Sequence, residues 1–181
     1  MLIARQKKKE NIAEYVLYMW QIEDIIRANH LDIEAIKLNI IDKFDQPDEI
    51  KSEMIDWYEG LIKMMQYENV KEKGHLQINK NIIIDLTDLH LRLLKSPNEP
   101  EYKAVYYKTL PFIVELRTKA EDKNIAELDT CFSALYGFLL LRLQQKEISG
   151  ETQAAIAQIS SLLRLLSEKY RKEKEGELDL E

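Results

Sequence analysis

The sequence predicts an all-α fold, and three observations carry that prediction. Only 5 glycines and 4 prolines occur in 181 residues, too few turn formers for a many-stranded sheet protein. Leu, Ile, Glu and Lys dominate, and most of these favour helices. Apolar residues recur at steps of three and four along most of the chain, the period of a helix with a buried face. Residues 78–94, INKNIIIDLTDLHLRLL, are the extreme case. There Asn81, Asp85, Asp88 and Arg92 form one narrow polar stripe on an otherwise apolar rod. The expected architecture is a single-domain bundle of about seven helices over 11–172, with helices four (76–95) and six (124–147) central. A flexible basic N-terminus (1–10) and a charged C-terminal tail (173–181) flank it.

The first helix spans 11–29. Asn11 is its N-cap, with Glu14 three residues on as a capping-box partner. Ile12, Tyr15, Val16, Met19, Ile22 and Ile26 form its buried stripe. Leu17, Tyr18, Trp20 and Ile25 lie off that stripe and ask for a second cover, which makes them the expected interface of a homo-oligomer. Asp32 caps the second helix, with Leu31 and Ile36 placed as a hydrophobic staple, and the helix stops before Gln46-Pro47. The third opens near Pro47 with Asp48 and Glu49 at its positive end. It carries Ile50, Met54, Trp57, Tyr58, Leu61 and Met65, and Gly74 fits a left-handed stop.

The fourth helix ends near Lys95. In Ser96-Pro97-Asn98-Glu99-Pro100, both Ser96 with Glu99 and Asn98 with Glu101 make capping pairs. The fifth spans 100–122. Pro111 removes its bond to the Tyr107 carbonyl, so a kink or break is expected there. Asn124 with Glu127 opens the sixth, which is apolar nearly all round. Its Ser133 and Gly137, four apart, leave a shallow groove for another helix. Ser149 caps the seventh, whose stripe is Ile156, Ile159, Leu162, Leu163, Leu166 and Tyr170.

The net charge of −6 argues against nucleic acid as the main partner, because phosphate neutralisation needs a concentrated basic surface. The one basic cluster, Arg5 with Lys7, Lys8 and Lys9, reads as a solvated tail. Cys131 is the only cysteine, which excludes an internal disulfide and reads as a small hydrophobe in a reducing compartment. No apolar core region of a signal peptide follows the basic start. The longest near-apolar run, CFSALYGFLLL at 131–141, is about half of the ~20 residues a membrane span needs. Cytoplasmic residence without membrane partners is the expectation.

Two acidic stripes are the candidate metal ligands. Glu53 and Asp56 share one face of the third helix, and Asp85 and Asp88 one face of the fourth. If the two faces meet, the four carboxylates suit a hard cation such as magnesium. The spacing loosely resembles the acidic pairs of all-α nucleotide pyrophosphatases, so a metal-dependent hydrolase acting on nucleotides is the alternative function. Glu72 and His75 have the spacing of a di-iron bundle ligand pair, but Gly74 interrupts the shared face. His90 falls on the apolar side of its helix and reads as a core residue. No glycine-rich phosphate loop, Cys-x-x-Cys or His-Glu-x-x-His occurs. With no complete catalytic set, the leading expectation is a non-enzymatic helical interaction or scaffold protein that self-associates.

Three segments carry a wider likeness: NIAEYVLYMWQIEDIIRA near the start, GHLQINKNIIIDLTDLHLRLLKSP in the middle, and KEGELDLE at the end. They resemble an uncharacterised family of small all-helical Bacteroidetes proteins, a domain of unknown function. The resemblance covers the whole chain. It implies an all-α bacterial cytoplasmic protein and brings no activity, cofactor or catalytic residue with it.

Overall fold

The computed structural model describes residues 2–119 and 125–180, and among them are eight α-helices, one 3-10 turn and no strand. In chain order they are α1 (Leu2–Glu10), α2 (Ile12–Ala28), α3 (Ile33–Asn39), the 3-10 turn (Ile41–Lys43), α4 (Asp48–Tyr67), α5 (Gln77–Lys95), α6 (Pro100–Lys119), α7 (Glu127–Leu143) and α8 (Gly150–Glu175).

The additional helix is α1, where the sequence predicts a loose basic tail. It docks on α2 through Ala4, which is buried, and through an ion pair from Lys7 to Glu14 at 2.9 Å. Lys7, Lys8 and Lys9 occupy its last turn, where the carbonyl end of a helix favours cations. The other terminus is also more ordered than a fraying tail. Helix α8 runs to Glu175, Gly176 turns the chain at φ 75°, and Leu178 and Leu180 pack back against the core.

Centrality falls to a different helix from the one the sequence nominates. α8 packs against α2, α5, α6 and α7, and contributes Ile156, Ile159, Leu162, Leu163 and Leu166 to the interior. α5 buries Ile82, Ile83, Leu86, Leu89 and Leu93 on one face, but Ile84 is 60% exposed and Leu91 50%. These two lie seven residues apart on the same side as Asp88 and Lys95, so α5 is a half-covered helix and not an enclosed rod. α7 is buried only at its start, through Leu128, Cys131 and Phe132. From Ala134 to Leu141 every residue is half-exposed, and Leu143 is 68% exposed.

Capping follows the sequence at α2, α3 and α8. Asn11 Oδ1 accepts from the Ala13 and Glu14 N–H groups at 3.1 and 3.2 Å, Asp32 accepts from Glu34, and Ser149 from Thr152. Helix α7 starts with Ala126 at its N-cap and no side-chain cap bond, while the expected cap Asn124 lies outside the described residues, as do 120–122 of the fifth predicted helix. α6 continues unbroken through Pro111, which sits on the exposed side.

Four helices end in a similar way, with a left-handed residue (two in succession, His30 and Leu31, after α2) and a bond reaching back across the last turn. His30, Asn69, Gln145 and Gly176 take φ of 56°, 57°, 55° and 75°. The following N–H groups then donate to Ile26, Met65, Leu141 and Lys172 carbonyls at 2.8–3.0 Å. Asn69 therefore ends α4, and Gly74, nominated for that role by the sequence, turns the loop before α5.

Candidate functional site

An apolar groove lies between α2, α7 and α8. Leu17, Tyr18 and Gln21 form one wall, Leu135, Phe138 and Leu139 the other, and Ile156 and Ser160 the floor, around about 400 Å³ of open space. A second hollow shares Leu17, Leu135 and Ser160 and extends the groove toward Asn11 and Arg164. The Lys7–Glu14 ion pair forms a polar rim. Beyond the groove the end of α7 stays apolar on several sides. Only Arg142, whose guanidinium lies 5.9 Å from the Phe138 ring centre, softens it. Gly137 faces open space: a methyl group added there would meet no atom within 4 Å.

The four expected interface residues divide. Leu17 and Tyr18 line the groove, half-buried. Ile25 is half-buried one turn beyond Gln21 and packs against the core. Trp20 is an interior residue, 3% exposed, and cannot contribute to an interface. Its ring stacks flat on His75 and meets Phe132 and Tyr136 edge-on, because it points at the start of α5.

That contact belongs to a buried polar junction the sequence reading passes over. Glu23 is fully buried on α2. Its Oε1 accepts from the Leu76 N–H at 3.0 Å and the Asn79 amide at 2.7 Å, and its Oε2 lies 2.6 Å from His75 Nδ1. A carboxylate at the first turn of α5 also meets the positive end of that helix. One turn further along α2, Arg27 donates to the carbonyls of Val70 and Gly74 and pairs with Asp24 at 2.8 Å. Tyr136 donates to Asp24 from α7, and burial first, then this bond, raises its phenol. Burial also raises the Asp129 carboxyl, which the nearby His75 partly offsets. The junction clamps the loop between α4 and α5 onto α2. A signal for it exists in the chain: Glu23 falls on the step between Met19 and Ile26 in an otherwise apolar stripe.

A second polar cluster joins α5, α6 and α7. His90 Nδ1 lies 2.6 Å from the Tyr102 hydroxyl, and Tyr106 donates to Glu127 at 3.0 Å. Burial lowers the His90 pKa against the pull of Glu127, and raises that of Tyr106 to about 12. Cys131 is fully buried beside them, and burial pushes its thiol to about 12. It is neither reachable nor ionised, so it offers no nucleophile.

The predicted metal ligands are not brought together. Glu53, Asp56, Asp85 and Asp88 are all exposed, Asp88 pairs with Arg92 at 2.8 Å, and Glu53 borders an apolar hollow with Leu2, Phe44 and Met54. No group of three or more His, Cys, Asp or Glu side chains that could hold a metal ion occurs among the described residues. No helix among them is long and apolar enough to cross a membrane.

A family model described as a domain of unknown function (DUF4924) matches residues 1–177. No curated protein and no solved structure matches the chain.

Proposed function

The chain belongs to the DUF4924 family, and from that premise we propose that it is a non-enzymatic helical interaction protein that self-associates through the face shared by α2 and α7. The observation that carries this reading is the uncovered second half of α7. Leu135, Phe138, Leu139, Leu140 and Leu141 are half-exposed beside Leu17 and Tyr18, and Leu143 projects beyond them. Contiguous apolar surface of this kind on a folded domain marks a partner site.

A second copy is the occupant that fits best. The same face offers both halves of a contact, an apolar groove and a protruding apolar helix end, so a two-fold pairing satisfies both copies at once. Gly137, round the helix from the groove-lining Leu135, Phe138 and Leu139, leaves a further gap on the surface of α7. It weakens its helix by about 1 kcal/mol relative to alanine, and no neighbour within the chain uses the room it leaves. A reducing, cytoplasmic setting fits the lone buried Cys131.

Sedimentation equilibrium over a wide concentration range tests the proposal. The expected result is a concentration-dependent dimer, with the doubly substituted Phe138→Asp, Leu139→Asp protein helical by circular dichroism and monomeric. A wild-type protein that stays monomeric at the highest concentration overturns it.

A further inference from the structure

We propose that the cleft between the last turns of α1 and α8 binds a small soluble phosphomonoester. It is a separate hollow of about 250 Å³, and the proposal does not depend on self-association. Lys8 and Lys9 enter it from α1, and Arg171 and Lys174 from α8. Ile12 and Ser167, both buried, form its floor, and Tyr170 a side wall.

The charges in this cleft run against the rest of the molecule. The chain carries −6 overall, yet four cations meet here with two carboxylates, Glu10 and Glu175, leaving an excess of two positive charges. Among the described residues, Lys8, Lys9 and Lys174 have no ion-pair partner. Lys8 and Lys174 instead lie over the Tyr15 and Tyr170 rings, at 5.5 and 5.0 Å from their centres. Arg171 has only an exposed contact to Glu175 at 3.3 Å, of the kind that contributes little and is readily exchanged. Lys8 and Lys9 sit in the last turn of α1 and Lys174 in that of α8, where the carbonyl ends of the helices offset their mutual repulsion. The cleft is thus stable while holding unpaired donors.

A phosphomonoester matches on three counts. Its charge of about −1.5 to −2 at neutral pH is opposite in sign to the excess that the side chains leave. Its oxygens accept from ammonium and guanidinium groups together. The hollow of about 250 Å³ admits one small ring against Tyr170 and Ile12. A simple aromatic sulfate has the same shape with one charge fewer, which separates the proposal from general attraction to anions.

The test is a titration of the isotope-labelled full chain with phenyl phosphate, phenyl sulfate and inorganic phosphate, followed by amide shifts. Expected are saturable shifts confined to residues around Lys8, Ser167 and Lys174, with phenyl phosphate bound roughly tenfold more tightly than phenyl sulfate. That preference should vanish below about pH 6, where the phosphate loses its second charge. The Lys8→Gln, Lys174→Gln protein should bind roughly tenfold or more weakly with an unchanged helical spectrum, and a Lys37→Gln, Lys63→Gln control should bind as the parent does. Absence of saturation, equal affinity for sulfate, or equal loss in the control overturns the proposal. Tighter binding of inorganic phosphate than of phenyl phosphate overturns the assignment of an organic ester.

Discussion

The indole of Trp20 lies flat against the imidazole of His75, with ring centres 3.9 Å apart and planes 9° from parallel. Because Glu23 holds His75 Nδ1 at 2.6 Å, the stack and the ion pair fix the same ring from two directions. Two residues of α2, three apart, therefore set where the loop after α4 ends and α5 begins.

Glu23→Ala should be among the most damaging single substitutions in the chain. It strands the Leu76 N–H, the Asn79 amide and a partly buried histidine at once. Leaving a buried donor without its acceptor costs about 1–3 kcal/mol for each group stranded. Urea unfolding followed by circular dichroism measures it, and a loss below about 1 kcal/mol would remove the junction from its structural role.

Stability should decline in mild acid through His90. Burial holds its imidazole below the ordinary value, with Glu127 opposing more weakly. The unfolded chain therefore takes up the proton more readily than the folded one. Stability is fully present above about pH 6.5 and is lost as pH falls from there through the folded value. Comparing urea midpoints at about pH 7.5 and about pH 5 checks this, and a His90→Asn protein should show a shallower decline. Asp129, whose raised carboxyl pushes the other way in acid, is common to both proteins and cancels in the comparison.

Cys131 should be silent to thiol reagents in the native state. Its side chain is inaccessible and burial holds its pKa near 12. Reaction with a disulfide reagent at about pH 8 should proceed no faster than global unfolding, and stoichiometrically once denaturant is added. Rapid labelling without denaturant would show that the junction of α5, α6 and α7 opens on its own.

Gly137→Ala separates folding from association. No atom stands within 4 Å of the added methyl group, so the monomer should gain about 0.5–1 kcal/mol from the better helix former. If α7 meets a second copy at this position, the dimer should weaken in the same protein. Thermal unfolding at low concentration and sedimentation at high concentration read the two effects separately.

Helical periodicity made most of the architecture legible. The stripes of α2, α4 and α8 face inward with the residues the spacing nominates, and Asn11, Asp32 and Ser149 cap as their chemistry requires. Periodicity identifies an apolar face without saying whether the chain has enough neighbours to cover it. Hence α5 and α7, apolar on nearly all sides in sequence, prove only partly covered. The helix ends were hidden for another reason. His30, Asn69 and Gln145 adopt left-handed backbone without glycine, held by bonds to the preceding turn that no composition signals. The Glu23–His75 pair joins residues 52 positions apart, and neither side chain announces the other.

The helix that touches α2, α5, α6 and α7 is also synthesised after all four of them. While residues 1–149 leave the ribosome, the faces that α5, α6 and α7 turn toward α8 have nothing to cover them. The nascent chain must carry an open seam until α8 has followed α7 out of the ribosome. A product interrupted before α8 should therefore be a substrate for chaperones or proteases, and a separately supplied peptide spanning 150–175 should complete it.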